Sequence, residues 1–238
     1  MDSLMGIDWR KAWIERDKTR TKAADNVSWD ERSKDFKENC GLSDYTDIFV
    51  KYLDLEPGQT VLDMGSGPGT IAIPLAKQGH QVIAADFSAG MRNSAQERAD
   101  ESGLTNLTVK ALDWNEDWEA AGIMPKSVDV AIASRSTMVE DLGDAFFKLN
   151  RTARSKVALT MVTEYGPKGF KALGSKQEGC ESYLPDYIYG VNLLLQWGFY
   201  PELRYINTIH GNGGAMEGKL IRWAFISWVP ISLPTLAL

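Results

Sequence analysis

Val61-Leu62-Asp63-Met64-Gly65-Ser66-Gly67-Pro68-Gly69-Thr70 decides the fold of this chain. Apolar residues open the stretch, three glycines follow at alternate positions, and the apolar run Ile71 to Ala76 closes it. That pattern predicts a strand, a tight turn and a helix. Residues without Cβ accept unusual dihedrals and let a ligand come close to the backbone. The start of the helix offers free N–H groups to whatever sits in the turn.

The spacing narrows the ligand. A nicotinamide or flavin site favours G-x-G-x-x-G. Here the spacing is G-x-G-x-G, and Thr70 stands where the third glycine would be. There is no G-K-[ST] of a P-loop either. Asp63, just before the first glycine, suits a ligand with an ammonium better than one with a pyrophosphate.

With these residues in view, V-L-D-M-G-S-G-P-G-T resembles motif I of the class I S-adenosylmethionine-dependent methyltransferases. The match continues downstream. Gln81-Val82-Ile83-Ala84-Ala85-Asp86 reads as a buried strand ending in an acid, about twenty residues past the glycines, at the tip of the second strand of a doubly wound sheet. The resemblance implies that Asp86 holds a ribose and that Phe87 or Met91 flanks an adenine. Ser88 is placed to cap the helix carrying Met91. A third strand, Leu107 to Leu112, runs into Asp113-Trp114. By resemblance, Asp113 accepts from the adenine amino group and Trp114 stacks on the ring, whereas Trp118 packs. The cofactor set implied is thus Asp63, Gly65, Ser66, Gly67, Gly69, Asp86, Phe87, Ser88, Met91, Asp113, Trp114 and Ser134, with S-adenosyl-L-methionine as methyl donor and S-adenosyl-L-homocysteine as product.

Val128 to Ala133 is the fourth strand, ending Ser134-Arg135-Ser136-Thr137. In the resembled fold this tip faces the reactive methyl. The Asp/Asn/Ser-Pro-Pro-Tyr/Phe motif of many nucleic-acid and amine methylators is missing here, which weakens the case for a DNA base. Arg135 either binds an anionic substrate group or forms a structural ion pair. Val139 to Ala153 is an amphipathic helix, and Lys156 to Glu164 the fifth strand. Residues 165–189, rich in Gly, Pro and Tyr, read as a substrate-facing insertion, with Tyr183 and Tyr187 as pocket candidates. A helix over Ile188–Phe199 leads to strands Pro201–Thr208 and Leu220–Val229, which a short loop makes antiparallel. Five βα units and a terminal hairpin give an α/β fold: a doubly wound, seven-stranded, mostly parallel sheet of Rossmann-like methyltransferase type, its last strand inserted between the fifth and sixth. The domain spans 44–238. Residues 1–43 form a helical extension in which Ser28 and Glu31 make a capping box. Its aromatics Trp9, Trp13, Trp29 and Phe36 either pack it on the domain or make it a lid.

Composition sets bounds. A net charge of −6 argues against a phosphate-tracking surface. Two cysteines, Cys40 and Cys180, without a C-x-x-C partner fit a cytoplasmic setting and provide no metal site. No run is long enough to span a bilayer. Methyl transfer requires alignment and a dry cavity more than a catalytic triad. Any general base is undefined, with His210 as a weak candidate and Glu140, Asp141 and Glu164 no better supported. The reading is a methyltransferase acting on a small molecule, as monomer or homodimer. Alternatives are an RNA or protein methyltransferase, a non-catalytic S-adenosylmethionine-binding module, and a nicotinamide oxidoreductase.

Overall fold

The computed structural model describes residues 6–17, 44–165, 184–210 and 219–232, the side chains at 209, 210 and 219 excepted. The capping box, Trp29, Phe36, both cysteines, Tyr183, most of the 165–189 insertion and the side chain of His210 therefore lie outside the described residues.

Seven strands form one sheet: β1 (Thr60–Met64), β2 (Gln81–Asp86), β3 (Leu107–Ala111), β4 (Val128–Ala133), β5 (Ala153–Val162), β6 (Glu202–His210) and β7 (Lys219–Trp228). Their order is β3-β2-β1-β4-β5-β7-β6. The first five are parallel, and β7 enters antiparallel between β5 and β6. The expected terminal hairpin and its insertion are therefore present. Strand order reverses between β1 and β4, which opens a crevice at their carboxyl ends.

Helices α1 (Trp9–Asp17), α2 (Tyr45–Leu53), α3 (Ala72–Lys77), α4 (Ala89–Glu101), α5 (Leu142–Thr152) and α6 (Asp186–Gln196) cover the two faces. None is long and apolar enough to cross a membrane. One face buries Phe49, Leu53, Leu75, Val61 and Phe225 beneath α2 and α3. The other buries Leu62, Met64, Phe146, Leu149, Leu159 and Trp228 beneath α1, α5 and α6. Strands buried on both faces explain the nearly unbroken apolar runs in β1, β4 and β5.

Several boundaries differ from expectation; the helix expected from Val139 begins at Leu142, where Asp141 caps it, and two further cases are instructive. β5 starts three residues earlier, at Ala153, which pairs with Val128; polar Arg154 and Ser155 fall in a register irregularity before Lys156 pairs with Val130, and Arg154 Nε donates to Asp129 Oδ1 at 2.8 Å. An apolar-run criterion passes over such residues. The helix after the glycines is shorter than Thr70–Gln78, since Thr70 and Ile71 are still part of the turn.

Helix α1 has its aromatic side chains in the core. Trp9 and Trp13 are buried, both edge-on to Tyr189 at 5.8 Å between ring centroids. The Trp13 indole N–H donates to the Val139 carbonyl at 2.9 Å. Arg10 grips Asp141 through Nε and Nη2, the latter at 2.7 Å, and Arg16 makes a buried ion pair with Asp186. The helix thus braces the start of α5 and of α6. Trp13→Ala is expected to destabilise the protein by about 3–5 kcal/mol in urea melts, the cost of emptying a buried aromatic site. A change under about 1 kcal/mol would mean that α1 detaches readily.

Candidate active site

The three glycines do different things. Gly65 (φ 71°) has its N–H, with that of Ser66, directed to the Ala85 carbonyl of β2 at 2.8 and 3.0 Å. A Cβ on Gly65 would lie 2.3 Å from Ser136 Cβ, so the bend and the tip of β4 touch there. Ser136 fastens this contact by donating from Oγ to the Met64 carbonyl at 2.7 Å. At Gly67 (φ 56°) a Cβ would meet nothing nearer than Met91 Sδ at 4.0 Å. That face of the bend is open, and a ligand can lie against bare backbone.

Asp86 shapes the bend from the next strand. Its Oδ2 accepts from the Gly67 N–H at 2.8 Å and its Oδ1 from the Ser88 N–H at 2.9 Å. Ser88 Oγ in turn caps α4 by accepting from the Met91 N–H at 3.1 Å, as its position suggested.

Asp63 is different. It is 1% exposed, and neither carboxylate oxygen has a hydrogen-bond partner among the described residues. Burial, and then the charge of Asp86, raise its pKa to about 7; the nearby Ala72 N–H draws it back only in part. A buried carboxylate without a partner is costly in an apolar setting. The site therefore presents an acid that lacks its counter-charge. An α-ammonium meets that need, and the open face at Gly67 gives the backbone access that a cofactor requires.

Phe87 is half-buried, and Met91 is buried beside Gly67. Trp114 is half-buried and tied to the β4 tip through its indole N–H, which donates to the Ser136 carbonyl at 3.1 Å. Asp113 directs Oδ1 to the Asn115 N–H at 2.8 Å, and Trp118 is buried with its indole N–H on the Asp113 carbonyl. The bend, Asp86, Ser88, Met91, Trp114 and the tip of β4 are thus brought together at one edge of the sheet.

At that tip, Ser134 Oγ lies 2.9 Å from the hydroxyl of Tyr45, which also lies 2.7 Å from Thr160 Oγ1. Burial raises the Tyr45 pKa, and the cation of Arg135 partly opposes this. Arg135 has φ 57° and places its guanidinium carbon 4.4 Å from the Tyr45 ring centroid. The composition of the tip hid two participants. Tyr45 lies one helical turn before Phe49 on the buried face of α2, and Thr160 is a polar residue inside the apolar run of β5. Both signals are legible in the sequence, but neither names a role.

Tyr187 belongs to a different cluster. It sits edge-on to Tyr205 of β6 at 6.1 Å, while Arg222 of β7 lies over the rings of Tyr205 and Tyr165. Burial and Tyr205 push the Tyr187 pKa to about 12. Of the acids considered as bases, Asp141 is engaged as the cap of α5 and as the partner of Arg10.

A model described as a methyltransferase domain matches residues 61–156, from β1 to the start of β5. A protein of Haemophilus influenzae without an assigned function is 36% identical over 198 residues, 81% of this chain and 70% of that one. A 23S rRNA uracil-C5 methyltransferase of Shewanella amazonensis is 37% identical over only 71 residues, 30% of this chain and 16% of the RNA enzyme. Among solved structures, magnesium protoporphyrin IX methyltransferase of Synechocystis with bound S-adenosylhomocysteine shares the fold at TM-score 0.54 and 20% identity, over 93% of this chain and 94% of that one. Motif, strand order and these similarities agree: the chain belongs to the class I S-adenosylmethionine-dependent methyltransferases.

Proposed function

We propose that the chain transfers the methyl group of S-adenosylmethionine to a small-molecule acceptor, with Asp63 receiving the amino-acid end of the cofactor and Asp86 its ribose. One observation carries the cofactor assignment: a buried carboxylate without a partner beside a bend open at Gly67. When bound, the cofactor supplies an electrophilic methyl on a sulfonium sulfur. The residues of this chain orient and desolvate. The bend and Asp86 hold one end of the cofactor at the carboxyl edge of β1 and β2. Phe87, Met91 and Trp114 supply apolar surface for an adenine, with Asp113 nearby. Ser134 and Arg135 border the space beyond the bend, where an acceptor would stand. Such positioning, in a site that excludes water, is where the rate gain of a one-step displacement comes from.

Charge supports a small acceptor. The net charge of −6 does not suit tracking a phosphate backbone. An RNA substrate has support only from a match that spans 16% of the RNA enzyme.

In calorimetry, S-adenosylhomocysteine is expected to bind and NAD to fail. Release of S-adenosylhomocysteine on incubation with S-adenosylmethionine and a panel of small acceptors tests turnover. Binding without turnover across the panel would favour a sensor, and turnover confined to RNA would overturn the small-acceptor reading. Asp86→Ala is expected to weaken S-adenosylhomocysteine binding by roughly 2 kcal/mol in a folded protein, the scale of charge-assisted hydrogen bonds. An unchanged dissociation constant would remove Asp86 from the site.

The raised pKa of Asp63 has two consequences of opposite sign. In the ligand-free protein the unfolded chain gives up this proton near 3.8 and the folded chain near 7. Folded protein therefore binds more protons in that window, and stability falls as pH rises through it, by on the order of 4 kcal/mol at completion. Asp63→Asn should raise the melting temperature at pH 8 and leave it almost unchanged at pH 4. An equal shift at both pH values would contradict the buried charge. Binding of an ammonium needs the ionised form, so cofactor affinity should fall by roughly tenfold per pH unit well below pH 7. Asp63→Asn should flatten that dependence in isothermal titrations; a wild-type affinity independent of pH between 5 and 8 would separate Asp63 from the ammonium.

A further inference from the structure

Arg135 stands apart from the other arginines. Arg10, Arg16, Arg151, Arg154 and Arg204 each pair with a carboxylate. Arg92 and Arg98 donate to backbone carbonyls, and Arg222 donates to Asn207 Oδ1. Among the described residues, Arg135 is the one arginine whose guanidinium has no hydrogen-bonded or ionic partner of this kind.

The guanidinium is nonetheless held in place. Its central carbon lies over the Tyr45 ring, 4.4 Å from the centroid. Tyr45 is 2% exposed and anchored through its hydroxyl by Ser134 and Thr160. Thr160 Oγ1 also accepts the Arg135 backbone N–H at 3.0 Å. That bond fixes a left-handed backbone conformation, φ 57°, which is strained for a residue with a Cβ. Strain of this kind persists where the surroundings over-determine it, often at ligand sites. A cation–π contact uses none of the guanidinium's N–H donors, and those donors are the groups that receive an oxyanion bidentately. Arg135 is also one residue from Ser136, which touches the glycine bend.

We infer that the methyl acceptor carries an oxyanion, a carboxylate or a phosphate, received by the Arg135 guanidinium that Tyr45 presents at the tip of β4. This rests on the methyl-transfer reading of the site. Arg135 is the binding group, and Tyr45 is a positioning residue.

The test follows the side-chain Nε–H resonances of the full chain, labelled with ¹⁵N and saturated with S-adenosylhomocysteine. Arg135 and Arg204 are identified by the signals lost in Arg135→Lys and Arg204→Lys. Sodium acetate and inorganic phosphate are added separately at constant ionic strength, so the two arms separate carboxylate from phosphate. The expected result is a saturable shift of the Arg135 signal by one anion, at about a tenfold lower concentration than moves Arg204, which is exposed like Arg135 but paired with Glu202. Tyr45→Leu should raise the half-saturating concentration by about fivefold, and Tyr45→Phe, which keeps the ring, should restore most of it. An Arg135 signal that neither anion moves more readily than Arg204 overturns the proposal, as does a Tyr45→Leu protein that folds and responds like wild type. If Tyr45→Leu does not fold, the wild-type titration decides. Failure of S-adenosylhomocysteine to bind at all would sink the cofactor reading instead, and the same anion titration on the ligand-free protein would still report on Arg135.

Discussion

Two carboxylates at the ends of adjacent parallel strands set the terms for the rest of the site. β1 and β2 pair so that Met64 stands beside Ala85, which puts Asp63 and Asp86 close together at one edge of the sheet. Like charges in a buried place cannot both ionise freely. Two backbone N–H groups, of Gly67 and Ser88, donate to Asp86. The first of these lies in a bend after β1 with positive φ at alternate residues, and the second just beyond the end of β2. Asp63 has only the nearby Ala72 N–H, which offsets its burial in part. The bend, its glycines and the buried acid act as one unit, which on the proposed reading takes the ammonium of the cofactor.

Much of this was legible in the sequence, because the constraints are local. Glycines at alternate positions after an apolar strand, an acid at the next strand end and a serine three residues before Met91 are patterns within a few residues of one another. The hairpin that distinguishes the sheet order was legible too, since a short connection between two strands leaves one pairing direction. What was not legible depends on tertiary contact. Gly65 reads as a turn residue, yet Ser136, more than seventy residues on, is what leaves no room for a side chain there. Tyr45 reads as one more aromatic on a buried helix face, and its hydroxyl acquires meaning only when β4 and β5 bring Ser134 and Thr160 to it. Tyr187 fitted the expectation of a pocket tyrosine by composition, but α6 sets it against Tyr205 at the far strands of the sheet. The early start of β5 escaped notice because hydrogen bonding, not hydrophobicity, recruits Arg154 and Ser155 to it.

The N-terminal helix shows how a peripheral element bears on the site without touching the bend. Trp13 binds the Val139 carbonyl and Arg10 holds Asp141, the cap of α5. The segment between β4 and α5, which starts at Ser134 and Arg135, is thereby clamped at its far end. A loop held at one end by Thr160 and at the other by α1 has little freedom to relax the unusual backbone at Arg135.

The sheet order gives these parts their division of labour. It reverses between β1 and β4, so the ends of these two strands flank the crevice where open α/β sheets bind ligands. β1 contributes the bend and Asp63, groups suited to a cation. β4 contributes Ser134 and Arg135, groups suited to an oxyanion. An in-line displacement needs donor and acceptor held on a common axis. Two opposite electrostatic anchors on neighbouring strands serve that need only if the strand ends cannot drift apart. Ser136 supplies the fastening, with its hydroxyl on the Met64 carbonyl and its Cβ against Gly65. A side chain at position 65 would therefore do more than strain a turn: it would push the tip of β4 away from the end of β1.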